Sequence, residues 1–431
     1  MKSRSYFIGY LLLIIFTFLE SYTFFHLRSL KTNQYLKPSL FLLSTLVICS
    51  LSIWLLSSKE KVMLPSFRPI SRKTKQLILW GILILLIIWT GARFIWLFEK
   101  YEVAPDIVPA MQMYVGRLLS GAPVYAPMEF ESWTVYPNYL PLMWLPYIVP
   151  EIFQFDYRLM AVCLMILAIL LWAYRLIQTN APLGLTAVHL IFPFAILLFL
   201  IKNVPNDLSY NVEFSPIAFY FFLALAVLSG GWISIGATTL LCLLSRIAFS
   251  FWLPVYLIIL WIERRFGYPF KIGLFCLAGI FAIYIIPFVL KDPESFERGM
   301  NYYGTVSDQI WTQPWHARDG RPIVLQEGTS FAVYFYDNIK GEPLDRLAFA
   351  KRFHFGISLI ASFLFFGVYW LLRKKIDYRL LSIIGLKFYL SIFYLFLHTP
   401  FAYLYLLPIF LSFPMLWMLQ LEFFGKKRQQ G

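Results

Sequence analysis

Residues 71–100 read SRKTKQLILWGILILLIIWTGARFIWLFEK. Arg72, Lys73 and Lys75 stand at the start of an apolar run over 76–98. A run of that length matches the hydrocarbon thickness of a bilayer. A basic cluster at one end marks the end kept on the cytoplasmic side. The cluster extends back through Lys59, Lys61 and Arg68. These residues decide the fold class, because the same pattern of apolar run and short basic cluster recurs along the chain.

Of 431 residues, 60% are apolar and only 14% are charged. A soluble domain carries about a quarter charged residues. The first run, Tyr6 to Phe25, lacks a small-residue cleavage site after it and reads as a retained span rather than a removed signal. The net charge of +14 would suit nucleic acid, but the cations sit in clusters between apolar runs, with another at Lys426, Lys427 and Arg428. That is a topology signal, and no nucleic-acid partner is expected.

Spans are predicted over 6–26, 38–57 and 76–98, and again over 353–373, 379–397 and 400–421. The basic 58–75 linker and Arg373, Lys374 and Lys375 belong inside. This places two long loops, 99–138 and 291–350, outside, and both termini in the cytoplasm. Fourteen of the 23 acidic residues fall in or at the edges of those loops, in agreement. Arg28, Lys31 and Lys37 run the other way, in a short linker placed outside. Between the loops lie seven apolar stretches, 139–153, 157–175, 183–201, 214–229, 232–245, 248–262 and 271–290. Two loops on one face require an even number of crossings. One stretch is therefore re-entrant, or two merge, and the short ones around Arg246 in 232–262 are the candidates. The expectation is an all-α polytopic transmembrane bundle of about twelve spans, forming a single integral domain over 1–431 of an inner or plasma membrane.

Cys49, Cys163, Cys242 and Cys276 all fall inside apolar runs without metal-ligand spacing. The five histidines show no i, i+3 or i+4 pairing, and neither a paired Asp-x-Asp nor a phosphate-binding glycine loop occurs. No metal or other cofactor is expected.

The first outer loop carries the densest pattern. Ala104-Pro105-Asp106 opens it, and residues 107–119 form a candidate interfacial helix with Val108, Met111, Val115 and Leu118 on one face. Gly121 and Pro123 stop that helix. Tyr136-Pro137-Asn138-Tyr139-Leu140-Pro141 then leads into the next apolar run, through Pro146 and Pro150.

This order resembles the first outer loop of the GT-C membrane glycosyltransferases, in particular bacterial polyprenol-phosphate-sugar transferases such as glycosyltransferase family 87. There an aspartate, an interfacial helix, a Leu-Leu-x-Gly-x-Pro-x-Tyr turn and a Tyr-Pro-Pro approach follow one another. Asp106, the run Leu118-Leu119-Ser120-Gly121-Ala122-Pro123-Val124-Tyr125 and Tyr136-Pro137 match, with Asn138 in place of the second proline. The likeness covers about residues 100–150. It implies transfer of a hexose, mannose-like, from a polyprenyl-phosphate donor to an acceptor hydroxyl on the extracytoplasmic face, with inversion. The implied partners are a lipid-linked sugar and a glycan, lipid or protein acceptor.

That chemistry needs a base for the acceptor proton and a cation for the departing phosphate. Asp106 is the candidate base, with Glu102 as a second acid; alone, Asp106 would read as a solvated loop acid or a helix cap. For the phosphate the candidates are Arg246, Arg117 and Lys202. Arg246 lies between apolar stretches, where a lone charge costs roughly 2.5 to 3.5 kcal/mol on insertion scales. The polar linker 202–213 supplies Asn206, Asp207, Asn211 and Glu213 as candidate sugar contacts, although an ordinary helix-capping turn would look the same. Tyr125, Tyr136, His316 and His398 complete the substrate-binding set, since aromatic rings beside polar groups suit both sugar faces and the membrane interface. A transporter or flippase of lipid-linked saccharides, and a polymerase or ligase, are the alternatives. No repeated halves of the kind many secondary transporters carry are visible.

Overall fold

The computed structural model describes residues 2–26, 35–58, 71–101, 107–130, 134–210, 212–312, 317–318 and 320–425. Among the described residues, nine helices are long and apolar enough to cross a membrane. They are Leu36–Ser57, Arg72–Lys100, Tyr157–Ile177, Leu183–Asn203, Ile247–Arg264, Gly267–Val289, Pro343–Leu372, Tyr378–Leu395 and Ala402–Phe424. Three shorter apolar helices, Ile8–Tyr22, Phe214–Ser229 and Trp232–Leu243, bring the number to the twelve expected. The sheet content is two two-stranded ribbons, Met128–Glu129 with Thr134–Val135 and Ala317–Arg318 with Arg321–Pro322, one in each long loop.

Exposure sorts the helices radially. Only 22% of the most apolar window of Arg72–Lys100 is buried, and its Leu77, Leu85 and Ile88 point outward. Such a surface is tolerable against acyl chains and costly against water. Ala402–Phe424 is 94% buried and Tyr378–Leu395 78%, so the C-terminal helices form the centre.

Hydrogen bonds between helix ends sort the connections onto two rims. At the first rim Lys75 donates to the Thr179 and Ala181 carbonyls, Arg72 to Gln178, Tyr268 to the Gly230 carbonyl and Arg379 to the Leu228 carbonyl. At the second, the Leu142 amide donates to the Leu244 carbonyl, Tyr147 meets Ser215, Tyr35 donates to Asp337 and Trp311 donates to the His398 carbonyl. Successive connections alternate between the rims, and both long loops fall on the second.

The parity problem is resolved at a different place from the one expected. Trp232–Leu243 and Ile247–Arg264 each run from rim to rim, with the break at Ser245-Arg246 on the second rim. The stretch that does not cross is 139–153. It is divided into Pro141–Trp144, Leu145–Tyr147 and Ile148–Phe153. Each of Pro141, Pro146 and Pro150 removes an amide donor and clashes with the preceding turn, so each is tolerated only near the start of a new helical piece. The segment begins beside Leu244 and ends where Tyr147 stacks on Tyr157, 5.6 Å between ring centroids, without leaving the second rim. Six crossings therefore separate the two loops.

Two polar clusters hold the interior. Lys387 donates to Glu20 at 2.6 Å and to the Pro408 carbonyl at 2.5 Å, while Thr45 and Ser412 donate to the same carboxylate at 3.1 and 2.7 Å. Neither charge has exposed side-chain surface. Nearer the first rim His189 bridges Tyr10 and Gln420, whose amide donates to Thr179 and Thr186. A buried charge or amide is sustained when it is paired and hydrogen-bonded, as in both clusters.

Candidate functional site on the second rim

The first loop folds as an amphipathic helix, Ile107–Ser120, that buries Val108, Met111 and Val115, with Leu118 half-buried. Gly121 stops it at φ +73°, a conformation natural to glycine. Arg117 turns back over the following turn and donates to the carbonyls of Val124, Ala126 and Pro127. It therefore braces the Gly121–Tyr125 turn. Tyr125 donates to the Tyr139 carbonyl at 3.0 Å and packs against Tyr114, Tyr284 and Phe288, so its phenol is a buried loop anchor held far above its ordinary range of titration by desolvation. Tyr136 lies more openly, 5.8 Å from Tyr302.

A shallow indentation lies between the two loops, with Tyr125, Asn138, Tyr139, Tyr284 and Phe296 on its walls. The second loop closes on the first at Gly299, where an added Cβ would stand 2.5 Å from the Pro137 carbonyl oxygen.

Asp106, Glu102, Asn211 and His316 lie outside the described residues, as does the side chain of Asp207. The chain ahead of residue 102 is held by one guanidinium. Arg158, 3% exposed and paired with Asp156, donates to the carbonyls of Phe98, Tyr101 and Ser209. The start of the first loop is thereby tied to the polar linker that carries Glu213. Lys202 and Asn206 are exposed on that linker.

Glu213 and Arg246, expected separately, form one ion pair. Glu213 sits just ahead of Phe214–Ser229, and Arg246 occupies the extended residue between Trp232–Leu243 and the 3-10 turn Ile247–Phe249. The pair is nearly enclosed, with 4% of the glutamate side chain and 16% of the arginine side chain exposed. The Nε of Arg246 has no protein partner. Tyr147, Tyr303 and Tyr394 are close enough for the guanidinium charge to act on their hydroxyls. Tyr303 is shifted up by burial, with a hydrogen bond to Thr399 and the Arg246 charge opposing the shift. His398 lies next to this group, its ring 6.2 Å from that of Tyr303. An arginine held by one carboxylate, with a donor left over, is suited to receive an anionic oxygen.

Of the expected residues, the structure gathers Glu213, Arg246 and His398 and assigns Arg117 and Tyr125 to the framework of the first loop. Tyr147, Tyr303, Tyr394 and Thr399 were not anticipated. They come from four separate segments and carry no local signature. Among the described residues no group of three or more His, Cys, Asp or Glu side chains is placed to hold a metal ion. No family model matches the chain, and comparisons with curated proteins and with solved structures gave no match.

Proposed function

We propose that the protein is a membrane glycosyltransferase that moves a hexose from a polyprenyl-phosphate donor to an acceptor hydroxyl. The observation that carries this reading is the enclosed Glu213–Arg246 pair with its unpartnered Nε. The loop pattern from Asp106 to Tyr136 supplies the reaction type. The acceptor oxygen attacks the anomeric carbon as the bond to the phosphate oxygen breaks, which inverts the configuration. Asp106 takes the acceptor proton. Arg246 neutralises the charge that grows on the departing lipid phosphate, in surroundings where exclusion of water strengthens that interaction. Glu213 holds the guanidinium in position and balances its charge when no donor is bound.

Orientation follows from charge. The first rim carries the basic connections, including Lys75, Arg373, Lys374 and Lys375, and belongs to the cytoplasmic side of an inner or plasma membrane. The second rim, with both loops, faces outward, and both termini are cytoplasmic. The test is incubation of the purified protein in lipid nanodiscs with a panel of polyprenyl-phosphate hexoses, mannose included, following release of the lipid phosphate. Release from at least one donor, lost in Asp106→Asn, supports the reading. No release from any donor in the panel, with or without added glycan acceptors, counts against it.

A further inference from the structure

Beyond Arg246 the second rim holds two histidines whose hydrogen-bonding capacity is unfilled. His398, between Tyr378–Leu395 and the C-terminal helix, is 9% exposed, and neither of its ring nitrogens has a partner. His354, on Pro343–Leu372, is also 9% exposed, and the two rings lie 6.0 Å apart. His354 bonds to the Phe393 backbone. Phe393 belongs to the last turn of its helix, where carbonyls lack intrahelical acceptance, so the ring N–H is the donor. Its Nε2 is left as a buried acceptor without a partner. Burial, followed by the influence of His354 and Lys351, lowers His398 to about 3, so that ring is neutral at ordinary pH.

Unfilled donors and acceptors at this depth weaken a fold unless something fills them. Aromatic rings flank both imidazoles: Phe393 at 4.4 Å from His354 and Tyr303 at 6.2 Å from His398. Lys351, a cation beside them, is engaged with Asp308 at 3.3 Å, so an anion has little to gain from it. Neutral groups that both give and accept, set against ring faces, suit the hydroxyls and C–H face of a pyranose. Lys351 and Asp308 are 39% and 50% exposed at the edge of the group, which opens it to water rather than to acyl chains. Tyr303, beside His398, is hydrogen-bonded to Thr399 and feels the Arg246 charge.

We infer that His354 and His398 form a subsite for the hydroxyls of a pyranose, the saccharide part of the acceptor arriving from the aqueous side. The placement as an acceptor subsite rests on the transferase reading; the capacity to bind a neutral sugar does not.

The experiment is saturation-transfer NMR on the full-length protein, with methyl hexopyranosides as sugar probes, glycerol as a control and farnesyl phosphate as a phosphate probe. At least one methyl glycoside should bind the wild type. The double variant His354→Phe/His398→Phe should bind it roughly tenfold more weakly, as expected for lost buried hydrogen bonds. His398→Gln, which keeps a donor and an acceptor, should retain most of the signal. The Phe variant should remain folded, because the unfilled nitrogens it removes offset the one bond lost from His354 to the Phe393 backbone, and it should bind farnesyl phosphate normally. Equal glycoside binding by wild type and double variant, or no glycoside binding by the wild type, overturns the subsite. Failure of farnesyl phosphate to bind the wild type counts instead against the transferase reading, and the glycoside arm still decides the subsite.

Discussion

The molecule buries two ion pairs, and they differ in what surrounds them. Glu20 and Lys387 lie in the middle of the bundle with no exposed side-chain surface, and Thr45, Ser412 and the Pro408 carbonyl bond to them as well. Glu213 and Arg246 lie at the second rim and leave the arginine Nε without a protein partner. The first pair is closed and serves assembly. The second keeps one donor unfilled, and it is the pair proposed to bind. A charge at membrane depth points to function by default; the contrast shows that the default should be tested against how completely the charge is satisfied.

Removing one partner of the closed pair is expected to give the largest effect. Lys387→Ala leaves Glu20 charged and enclosed, and should cost about 3–5 kcal/mol of stability. The double variant Glu20→Leu/Lys387→Met should recover most of that loss. Thermal unfolding in nanodiscs reads both, and a catalytic role for this pair would show instead as a well-folded double variant without transferase activity. At the rim the expectation reverses. Asp106→Asn should leave unfolding unchanged and reduce sugar transfer by about 10² to 10⁴; near-normal turnover would move the base role to Glu102. A smaller effect is expected at Gly299, where a methyl group would meet the Pro137 carbonyl. Gly299→Ala should cost about 1–3 kcal/mol, as overpacking does, and should loosen the closure of the two loops, measurable as faster amide exchange over 136–140. Arg117→Lys keeps the charge but loses the fork that spans three carbonyls, and should cost about 1 kcal/mol with little change in lipid-phosphate affinity.

How much was legible in the sequence follows the range of the interactions. Apolar runs and basic clusters are local, and they gave the all-α class, the number of apolar helices and the two loops. The amphipathic helix and its stop at Gly121 are local too. The stretch 139–153 was misread because hydropathy alone does not register that prolines at 141, 146 and 150 prevent one continuous helix. Lys387 and Glu20 are 367 positions apart, and the tyrosines around Arg246 come from separate elements. Such pairings exist only after the helices pack. Arg246 was visible because a break between two apolar runs is a local signal; its partner Glu213 was visible only as one polar residue among several.

The central claim is that the rim pair receives the lipid phosphate. The direct test is titration of farnesyl phosphate into wild type, Arg246→Ala and Arg246→Lys, each also followed by thermal unfolding. The account predicts that Arg246→Ala loses affinity by about 2 to 5 kcal/mol, the usual cost of truncating one partner of a buried charge pair. Arg246→Lys should recover part of it, and all three proteins should remain folded. Equal affinity in all three would contradict the claim, leave Arg246 a structural residue and turn the search to Lys202.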